Sequence, residues 1–413
     1  MPAQLVDSLP FAVRRVPGME PEIQLYIPPD DVANPEISIV IPALNEELNI
    51  VEFVRWCKKG LAEAGVCGEI LIVSSSTDRT GELALQEGAR VLQTPKRGLG
   101  RAYIDAIPYI RGKYILMGDA DCTYDFRVLR PFVERFHQGY EYIMGSRFRG
   151  YIEPDSMPAL HRYLGTPVTT WILNVLYATN FTDIHCGMRG ITREALLRVQ
   201  LSSQSWEYAS ELVLKAVQLR LRIAEVPVRF LKDRNGRVSH HRRLGWFSPW
   251  QAAWINLRAM FVYGADFFVL KPGLAMLWAG VLLMLAVIFG PIHIGPVVFS
   301  AYWMLLGVTL ATLGLQSFYL GCLAQVLNDL RGEARSRWTG LFRYTRSIGW
   351  SALAFLFGVC VTLPLVRQYV AFGFTLPHVF PREMHLAISG LFFIIAGFMN
   401  FSFTLVLHAS TKR

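Results

Sequence analysis

Residues 36–47 read EISIVIPALNEE, an apolar run that reaches a proline and then turns polar. The β-branched residues predict a buried strand at 36–41, and the polar stretch after it predicts a loop. An amphipathic helix is expected over about 48–64. A strand, a loop and a helix in this order indicate an α/β fold.

The same alternation continues along the chain. Further strands are predicted at 69–73, 90–93 and 113–117, and helices at 80–87 and 101–110. Strands that alternate with helices indicate a doubly wound, mostly parallel sheet. Such sheets bind ligands beyond the carboxyl ends of their strands, which is where the polar motifs of this sequence lie.

The composition indicates a membrane protein. Hydrophobic residues make up 52% of the chain, and Lys plus Arg outnumber Asp plus Glu by 41 to 32. Four apolar segments approach or exceed the roughly 20 residues that a helix needs to cross a bilayer; they are 272–289, 297–327, 348–366 and 386–407. The positive charge therefore favours an anionic membrane face and phosphate-bearing substrates over nucleic acid.

Basic residues predict the orientation of these four spans. The loop between the second and third spans, called the five-arginine loop below, contains Arg331, Arg335, Arg337, Arg343 and Arg346, whereas the loop between the first and second has no Lys or Arg. Cytoplasmic loops are enriched in Lys and Arg, so we expect this loop, the catalytic domain and both termini in the cytosol. The six cysteines lack disulfide or metal spacing, in agreement with a reduced compartment.

We expect four parts in the chain. They are a loosely ordered N-terminal arm at 1–35, a catalytic domain at 36–240, an interfacial amphipathic region at 241–270 and a four-helix transmembrane domain at 271–413. In the third part, tryptophans recur at four-residue spacing, at Trp246, Trp250 and Trp254. This stripe fits a helix lying in the membrane interface. Packing of the tryptophans into a protein core is the alternative.

The most informative polar cluster follows the fourth predicted strand and reads Gly118-Asp119-Ala120-Asp121-Cys122-Thr123. Two carboxylates at i and i+2 on a loop can converge on one Mg²⁺ or Mn²⁺ ion and leave positions open for a diphosphate. A solvated turn with Asx capping is the alternative. Its position at the end of a strand in an α/β unit favours the metal.

Five motifs together resemble family 2 glycosyltransferases, in particular the dolichyl- or polyprenyl-phosphate mannose and glucose synthases. They are Pro42-Ala-Leu-Asn45-Glu46, Ser74-Ser-Ser76-Thr-Asp78, Lys96-Arg-Gly-Leu-Gly100, Asp119-Ala-Asp121 and Gly145-Ser-Arg147. Their order and spacing match over about residues 36–240. The resemblance implies a glycosyltransferase-A type fold, a UDP- or GDP-linked sugar donor, a divalent metal and a polyprenyl phosphate acceptor in the membrane.

The resemblance also implies the residues of the site. The nucleotide would be held by Pro42, Asn45, Glu46, Ser74, Ser76, Asp78, Lys96 and Gly100. The metal would be held by Asp119, Asp121 and Thr123, and the acceptor phosphate by Arg147, Arg162 and Thr166. The donor sugar and its diphosphate would contact Arg189, Arg234 and Ser239. The catalytic groups would be Asp119, Asp121 and Arg147.

Two departures from the family pattern stand out. Val73 and Ser74 occupy positions that are usually acidic, so the identity of the nucleotide stays open. The loop that begins at Arg234 has His240 where the family more often has Lys. His240 either serves a phosphate or is a solvated histidine at a basic membrane face.

Three further acidic residues each have two interpretations, and one cysteine has a structural interpretation. Glu207 and Glu211 would either orient a sugar hydroxyl or hold nearby basic residues, and Asp125 would either support the metal or cap a loop. Cys186 is expected to be a packing or pocket residue, because no base is suggested beside it for a nucleophile.

The predicted acceptor simplifies the chemistry. A phosphate monoester is already anionic at neutral pH, so the enzyme needs no general base, and direct displacement would invert the anomeric carbon. One alternative is a processive polysaccharide synthase, whose Gln-x-x-Arg-Trp motif has its nearest match at Arg337-Trp338 without the Gln. A non-catalytic membrane scaffold is the other, and the presence of both Asp119 and Asp121 disfavours it. Homo-oligomer formation is left open.

Overall fold

The computed structural model describes residues 12–14, 20–233, 258, 264, 266–375 and 381–411. The chain divides into two compact units, Met1–Met260 and Phe261–Arg413. Several predicted features lie outside the described residues, namely Arg234, Ser239, His240 and the stripe of Trp246, Trp250 and Trp254. The predicted four-part division stays a prediction.

In the described part of the first unit, nine strands form one sheet. They are β1 (Ala12–Arg14), β2 (Gln24–Ile27), β3 (Ile37–Ala43), β4 (Gly68–Ser74), β5 (Arg90–Gln93), β6 (Tyr114–Met117), β7 (Tyr142–Ile152), β8 (Arg189–Thr192) and β9 (Ile223–Phe230). Their order is β1-β2-β5-β4-β3-β6-β8-β7-β9. The four central strands, β5 to β6 in this order, are parallel, which confirms the predicted α/β class. Strands β2 and β8 join them antiparallel on either side.

Helices connect and cover these strands. They are α1 (Ile50–Ala64), α2 (Thr80–Gln86), α3 (Leu99–Ala106), α4 (Arg130–His137), α5 (Thr166–Tyr177), α6 (Arg193–Val199) and α7 (Tyr208–Gln218). A π-helical turn at His161–Gly165 runs directly into α5. In α1 the buried residues recur every three or four positions, so this helix packs one apolar face.

The order of the strands fixes where a ligand can bind. From β3 the chain proceeds to β4 and β5 on one side, and then returns to β6 on the other side of β3. The carboxyl ends of β3 and β6 therefore border the point at which the strand order reverses. In open α/β sheets this point is the usual ligand crevice.

Part of the predicted N-terminal arm at 1–35 forms an ordered strand. Strand β2 pairs antiparallel with β5. Ile23 and Leu25 are buried in the core of the unit. Burial of these apolar side chains stabilises the strand.

The second unit is helical. Its elements are α8 (Lys271–Val287), β10 (Ile292–Ile294), β11 (Val297–Phe299), α9 (Ala301–Leu327), α10 (Glu333–Leu341), α11 (Tyr344–Ala371) and α12 (Pro381–Ser410). Among the described residues, four helices are long and apolar enough to cross a membrane, at Phe267–Val287, Ala301–Leu327, Tyr344–Ala371 and Arg382–Ser410. They confirm the four predicted spans. The second span begins later than predicted because β10 and β11 form a hairpin.

The residue pair compared with polysaccharide synthases, Arg337-Trp338, lies in α10. Trp338 is buried among apolar side chains of the second unit, and its indole N–H donates to Gln325 Oε1 at 2.9 Å. These contacts account for the tryptophan as a packing residue.

Candidate active site

The loops that follow β3 and β4 interlock. The Asn45 amide N–H donates to Ser76 Oγ at 2.9 Å, and the Thr77 amide N–H donates to Asn45 Oδ1 at 2.9 Å. Asn45 has a φ of 54°, a left-handed conformation that asparagine adopts more readily than most residues. Two predicted nucleotide-binding residues, Asn45 and Ser76, are therefore brought together at the ends of neighbouring strands. Pro42 lies beside them, next to the last residue of β3.

Asp78 joins the same two loops. Its Oδ1 accepts the amide N–H of Thr80 at 3.0 Å, and its Oδ2 accepts the amide N–H of Glu47 at 3.3 Å. Glu46 is buried, and its amide N–H donates to Thr80 Oγ1 at 2.8 Å. Asp78 thus fixes the loop geometry at the start of α2, with part of its surface open to solvent.

Ser74 is a correction to the predicted nucleotide contacts. It is the last residue of β4, it is 0% exposed, and its Oγ accepts the amide N–H of Ser76 at 3.3 Å. A side chain without accessible surface cannot touch the nucleotide in this conformation. Ser74 instead supports the loop that carries Ser76.

The glycine-rich turn after β5 is shaped by packing. A Cβ on Gly100 would lie 2.1 Å from the carbonyl oxygen of Ser203, and one on Gly98 would lie 2.4 Å from that of Gln204. Glycine at position 100 therefore allows close contact with residues 203–205, and the predicted contact of Gly100 with the nucleotide stays a prediction. Lys96, before the turn, is exposed and remains available for a phosphate.

Asp119 and Asp121 follow β6 and are both partly exposed. Asp121 Oδ1 accepts the amide N–H of Thr123 at 3.0 Å and the Thr123 hydroxyl at 2.6 Å. The buried Thr123 hydroxyl therefore orients Asp121, and the predicted role of Thr123 as a metal ligand stays a prediction.

The two carboxylates fit a hard divalent cation, which prefers oxygen ligands. In the described part of the chain, no group of three or more His, Cys, Asp and Glu side chains is placed to hold a metal. The protein thus offers two carboxylates, and Asp121 is already oriented by Thr123. Mg²⁺ commonly binds proteins through one or two carboxylates and takes its other ligands from substrate phosphates and water.

Three neighbours hold the Asp119 loop in place. The buried Tyr103 hydroxyl donates to the Gly118 carbonyl at 3.1 Å, and the Tyr124 hydroxyl accepts the amide N–H of Gly187 at 2.8 Å. Burial raises the pKa of both tyrosines well above the usual range, so both stay protonated. A Cβ on Gly187 would lie 2.6 Å from Asp119 Oδ2, so a larger residue at this position would displace the carboxylate.

Arg147, in β7, forms a buried ion pair. Its Nε donates to Asp183 Oδ2 at 2.6 Å and its Nη2 donates to Asp183 Oδ1 at 2.8 Å. No hydrogen bond from Nη1 is found among the described residues. The sequence singled out Arg147 but gave no role to Asp183, which lies 36 positions further on.

The segment 182–188, called the bridging loop below, reaches both predicted halves of the site. Asp183 holds Arg147, and Gly187 packs on Asp119. His185 Nε2 is hydrogen-bonded to Thr169 Oγ1 of α5 at 2.8 Å. Burial, assisted by the positive charge of Arg147, lowers the pKa of His185 to about 4, so the imidazole is neutral at pH 7.

The other two predicted acceptor residues lie at the start of α5. Arg162 is partly exposed within the π-helical turn. Thr166 is buried at the first position of the helix, so the predicted contact between its hydroxyl and a phosphate is not available in this conformation. Arg162 is the better placed of the two.

Arg189, a predicted contact of the donor sugar, is enclosed by the protein. It is 1% exposed, and its guanidinium donates to the carbonyl oxygens of Cys186 at 2.8 Å and Ile184 at 3.1 Å, and also to that of Ala209. All three acceptors are main-chain groups of the protein. Arg189 therefore fixes the bridging loop and does not contact the donor sugar or diphosphate directly.

The contacts of Glu211 favour the interpretation in which it holds a nearby basic residue over the one in which it orients a sugar hydroxyl. It is fully buried, pairs with Lys215 at 2.6 Å and accepts the amide N–H of Ser203 at 2.8 Å. Although burial opposes ionisation, hydrogen bonds from Lys215, Ser202 and Ser203 lower the pKa of Glu211 to about 2. Glu211 thus anchors the segment on which the glycine-rich turn packs, whereas Glu207 pairs with Arg258 at 3.0 Å.

Asp125 and Cys186 also have structural partners. Asp125 Oδ1 accepts a hydrogen bond from Arg127 Nε at 2.7 Å and another from the Arg127 amide N–H at 3.2 Å. These bonds favour the loop-capping alternative. Cys186 is fully buried, and burial raises the pKa of its thiol to about 12. A thiol that stays protonated fits the predicted packing role.

Comparisons with known proteins converge on one family. The model of glycosyl transferase family 2 matches residues 38–199. The low-salt glycan biosynthesis hexosyltransferase of Haloferax volcanii is 34% identical over 313 residues, which cover 75% of this chain and 74% of that one. The dolichyl-phosphate hexose transferase of Haloferax volcanii is 29% identical over 170 residues, or 41% of this chain and 72% of that one.

Solved structures were compared as well. Glucosyl-3-phosphoglycerate synthase from Mycobacterium tuberculosis, in complex with Mn²⁺, uridine diphosphate and phosphoglyceric acid, matches with a TM-score of 0.43 and 20% identity, covering 56% of this chain and 78% of that one. Mannosyl-3-phosphoglycerate synthase from Rubrobacter xylanophilus matches with a TM-score of 0.42 and 21% identity, covering 55% and 72%.

Proposed function

Because the chain belongs to glycosyl transferase family 2, we propose that this glycosyltransferase moves a hexose-type sugar from a nucleotide donor to a polyprenyl phosphate. The observation that carries the proposal is the bridging loop, which contacts Asp119 on one side and Arg147 on the other. A carboxylate suited to a metal-bound diphosphate and a cation suited to a phosphate thus meet on one loop. The named activity of the dolichyl-phosphate hexose transferase relative supports the same acceptor.

The donor side consists of the loops after β3, β4 and β6. Asn45, Ser76 and Asp78 form the interlocked surface that would receive the nucleoside. Asp119 and Asp121 would hold Mg²⁺ or Mn²⁺, which supplies positive charge to the departing diphosphate when bound. Lys96 is an exposed cation that would contact the same phosphates.

The acceptor side would bind the lipid phosphate through Arg147 and Arg162. Arg147 keeps Nη1 for a ligand while Asp183 fixes the plane of its guanidinium. Arg162 contributes a partly exposed guanidinium from the turn before α5. The phosphate is already anionic at neutral pH, so alignment against the anomeric carbon replaces a general base, and the displacement inverts that carbon.

The activity is tested by incubating the purified full chain with polyprenyl phosphate, Mn²⁺ and a panel of radiolabelled UDP- and GDP-sugars. We expect one labelled sugar to enter the lipid phase as a monophosphate-linked product. A water-soluble product with every donor, or a growing polymer, would contradict the proposal.

The five-arginine loop supports a cytosolic catalytic unit. We propose that this loop and the catalytic unit share the cytosolic side, with the hairpin of β10 and β11 on the opposite side. A single cysteine introduced at Arg335 should react with an impermeant thiol reagent only after the membrane is opened, whereas one at Gly295 should react in intact cells. The reverse pattern would overturn the orientation.

A further inference from the structure

An exposed apolar row runs along α5 and the turn before it. Its members are spaced four, four, three and four residues apart, which places them on one helical face. They are 43 to 65% exposed and comprise Leu160, Leu164, Val168, Trp171 and Val175. Tyr163, beside the row, is 73% exposed. A contiguous apolar surface of this kind marks a site of contact with a partner or a membrane.

The charge pattern of this helix differs from that of an ordinary surface helix. No charged residue or histidine occurs from Tyr163 to Thr182, whereas His161 and Arg162 come directly before. Helix α4 of the same unit, in contrast, exposes Glu134 and His137 while it buries Phe132 and Phe136. Helix α5 therefore has the composition of a helix that faces a medium other than water.

The opposite side of α5 is fixed to the bridging loop and the residues before it. Asn174 Nδ2 donates to the Phe181 carbonyl at 2.8 Å, and Asn174 Oδ1 accepts the Phe181 amide N–H at 2.9 Å. Thr169 is bound to His185 at 2.8 Å. These bonds prevent the helix from rotating its apolar row into the protein, so the row must be covered from outside.

We propose that this row lies on the surface of the bilayer that the four helices of the same chain are suited to cross. Attachment to those helices keeps the catalytic unit at the membrane at high effective concentration, so a modest contact is sufficient. Trp171 and Tyr163 are side chains that favour the level of the lipid headgroups, and Arg162 at the start of the helix suits lipid phosphates.

A second copy of the chain is less suited than the bilayer to cover the row. The row runs from Leu160 to Val175, about 24 Å along the helix axis, so one face offers a few hundred Å² at most. A stable interface between proteins buries about 800 Å² on each partner. The bilayer needs no such area because the tether already holds the unit beside it.

Contact of α5 with the bilayer would affect the position of residues in the active site. The helix is bonded to His185, and Asp183 of the same loop holds Arg147. The row therefore positions the Arg147 side of the site at membrane level. This inference rests on the tethered fold and does not depend on the identity of the acceptor.

The test measures the depth of the row in nanodiscs of phosphatidylcholine and phosphatidylglycerol. The full chain, with the exposed Cys67 and Cys360 changed to serine, carries a nitroxide label at Trp171→Cys or, as the control, at Leu197→Cys. Leu197 is 53% exposed on α6, beside charged residues. We expect the Trp171 label to collide with oxygen more than with a water-soluble nickel complex, and the Leu197 label to show the reverse preference.

Two results would overturn the proposal. One is a Trp171 label that is as accessible to the nickel complex as the Leu197 label. The other is spin–spin broadening at Trp171 that disappears when labelled chains are diluted with unlabelled ones, which would assign the row to a second copy. Both readouts work on an inactive enzyme, so failure of the proposed glycosyl transfer is detected separately.

A functional comparison uses the same two positions. Trp171→Glu places a charge in the row, whereas Leu197→Glu places one on an exposed face that carries charges already. We expect Trp171→Glu to raise the apparent KM for the membrane acceptor about tenfold with an unchanged KM for the nucleotide sugar. Equal kinetics for the two variants in nanodiscs would contradict the positioning role.

Discussion

The two sides of the candidate site are held in place in different ways. On the donor side, the loops after β3, β4 and β6 are shaped by main-chain N–H groups that donate to nearby polar side chains, as between Thr77 and Asn45. On the acceptor side, Arg147 is fixed by the buried carboxylate of Asp183. The donor side is therefore a set of partly exposed loops, and the acceptor side is a buried ion pair.

This difference separates activity from stability. Asp119 and Asp121 are partly exposed, so loss of one charge should leave the fold intact. Asp183 has no accessible surface, so loss of Arg147 would leave a buried charge without its partner. Substitutions on the donor side should change catalysis alone, whereas substitution of the buried Arg147 should change catalysis and stability together.

The largest effect is expected from Asp121→Asn, which removes one negative charge from the proposed metal site and keeps the size of the side chain. If the carboxylate contributes a few kcal/mol through the cation, kcat should fall by roughly two to four orders of magnitude. The melting temperature should match that of the parent. EDTA should abolish the parental activity, and Mg²⁺ or Mn²⁺ should restore it.

A matched control is Asp30→Asn, because Asp30 is an exposed carboxylate with only a weak contact to Lys58 at 3.8 Å. Its kinetics should equal those of the parent. An Asp121→Asn enzyme that melts like the parent and turns over at a near-parental rate would remove the metal role.

The second prediction compares the two acceptor arginines. Arg162→Ala should raise the apparent KM for the lipid phosphate about 10- to 100-fold, since a charge-assisted hydrogen bond contributes roughly 1.5 to 3 kcal/mol. Arg147→Ala should do the same and also destabilise the fold by about 3 to 5 kcal/mol, because Asp183 loses its partner. Steady-state kinetics and thermal melting measure the two effects.

Arg149→Ala serves as the control for both arginines. Arg149 lies two positions after Arg147 in β7. Its side chain is 55% exposed, and its 3.6 Å contact is with the largely buried side chain of Glu225, which keeps its hydrogen bonds from Thr182 without Arg149. We expect little change in either measurement. If Arg162→Ala weakened the nucleotide sugar alone, its assignment to the acceptor phosphate would be wrong.

The third prediction concerns the contact that joins the two sides. Gly187→Ala would place a Cβ against Asp119 Oδ2, and relief of such a clash costs about 1 to 3 kcal/mol. We expect kcat to fall about tenfold and the metal concentration needed for half activity to rise. In Gly81→Ala the new Cβ would meet its neighbours at ordinary distances of 3.5 to 3.7 Å, so this variant should be unaffected. Equal metal requirements in the two variants would show that Gly187 does not support Asp119.

The comparison also shows what sequence can predict. Loops on the donor side follow directly after apolar strands, so these loops, and the carboxylate pair of Asp119 and Asp121, could be located from the sequence pattern. The family resemblance then singled out Asn45 and Asp78. The four membrane spans could also be predicted, because each is one continuous run of mostly apolar residues. Local sequence is sufficient where a feature lies within one element and the loop after it.

The burial of particular side chains and the pairing of distant residues could not be predicted from local sequence. Ser74, Gly100 and Arg189 belong to motifs near the site, yet each is buried, and residues 203–205 enclose Gly100. The pairing of Arg147 with Asp183 depends on the path of the chain after β7. A motif therefore indicated the neighbourhood of the site, and the three-dimensional contacts show which of its side chains are buried and which are accessible.

The smallest expected effect is a pH dependence confined to the acceptor side. Burial and the nearby charges of Arg147 and Arg189 lower the pKa of His185 to about 4, from 6.5, while Asp183 opposes this shift and His161 adds to it. The unfolded chain then binds a proton that the folded chain excludes between these two values. Stability should be complete above pH 6.5 and should fall as the pH falls toward 4.

The measurement is the difference in unfolding free energy between pH 7.5 and pH 5 in one detergent. His185→Gln keeps a side chain able to bond Thr169 but cannot titrate, so the drop should be smaller than in the parent by about 1 to 2 kcal/mol. His137→Gln is the control, since His137 is an exposed histidine of α4 that contacts Glu36. It should keep the parental drop that arises from His185. If His185→Gln lost as much stability on acidification as the parent, His185 would be protonated in the folded chain, and the neutral link between α5 and the bridging loop would be excluded.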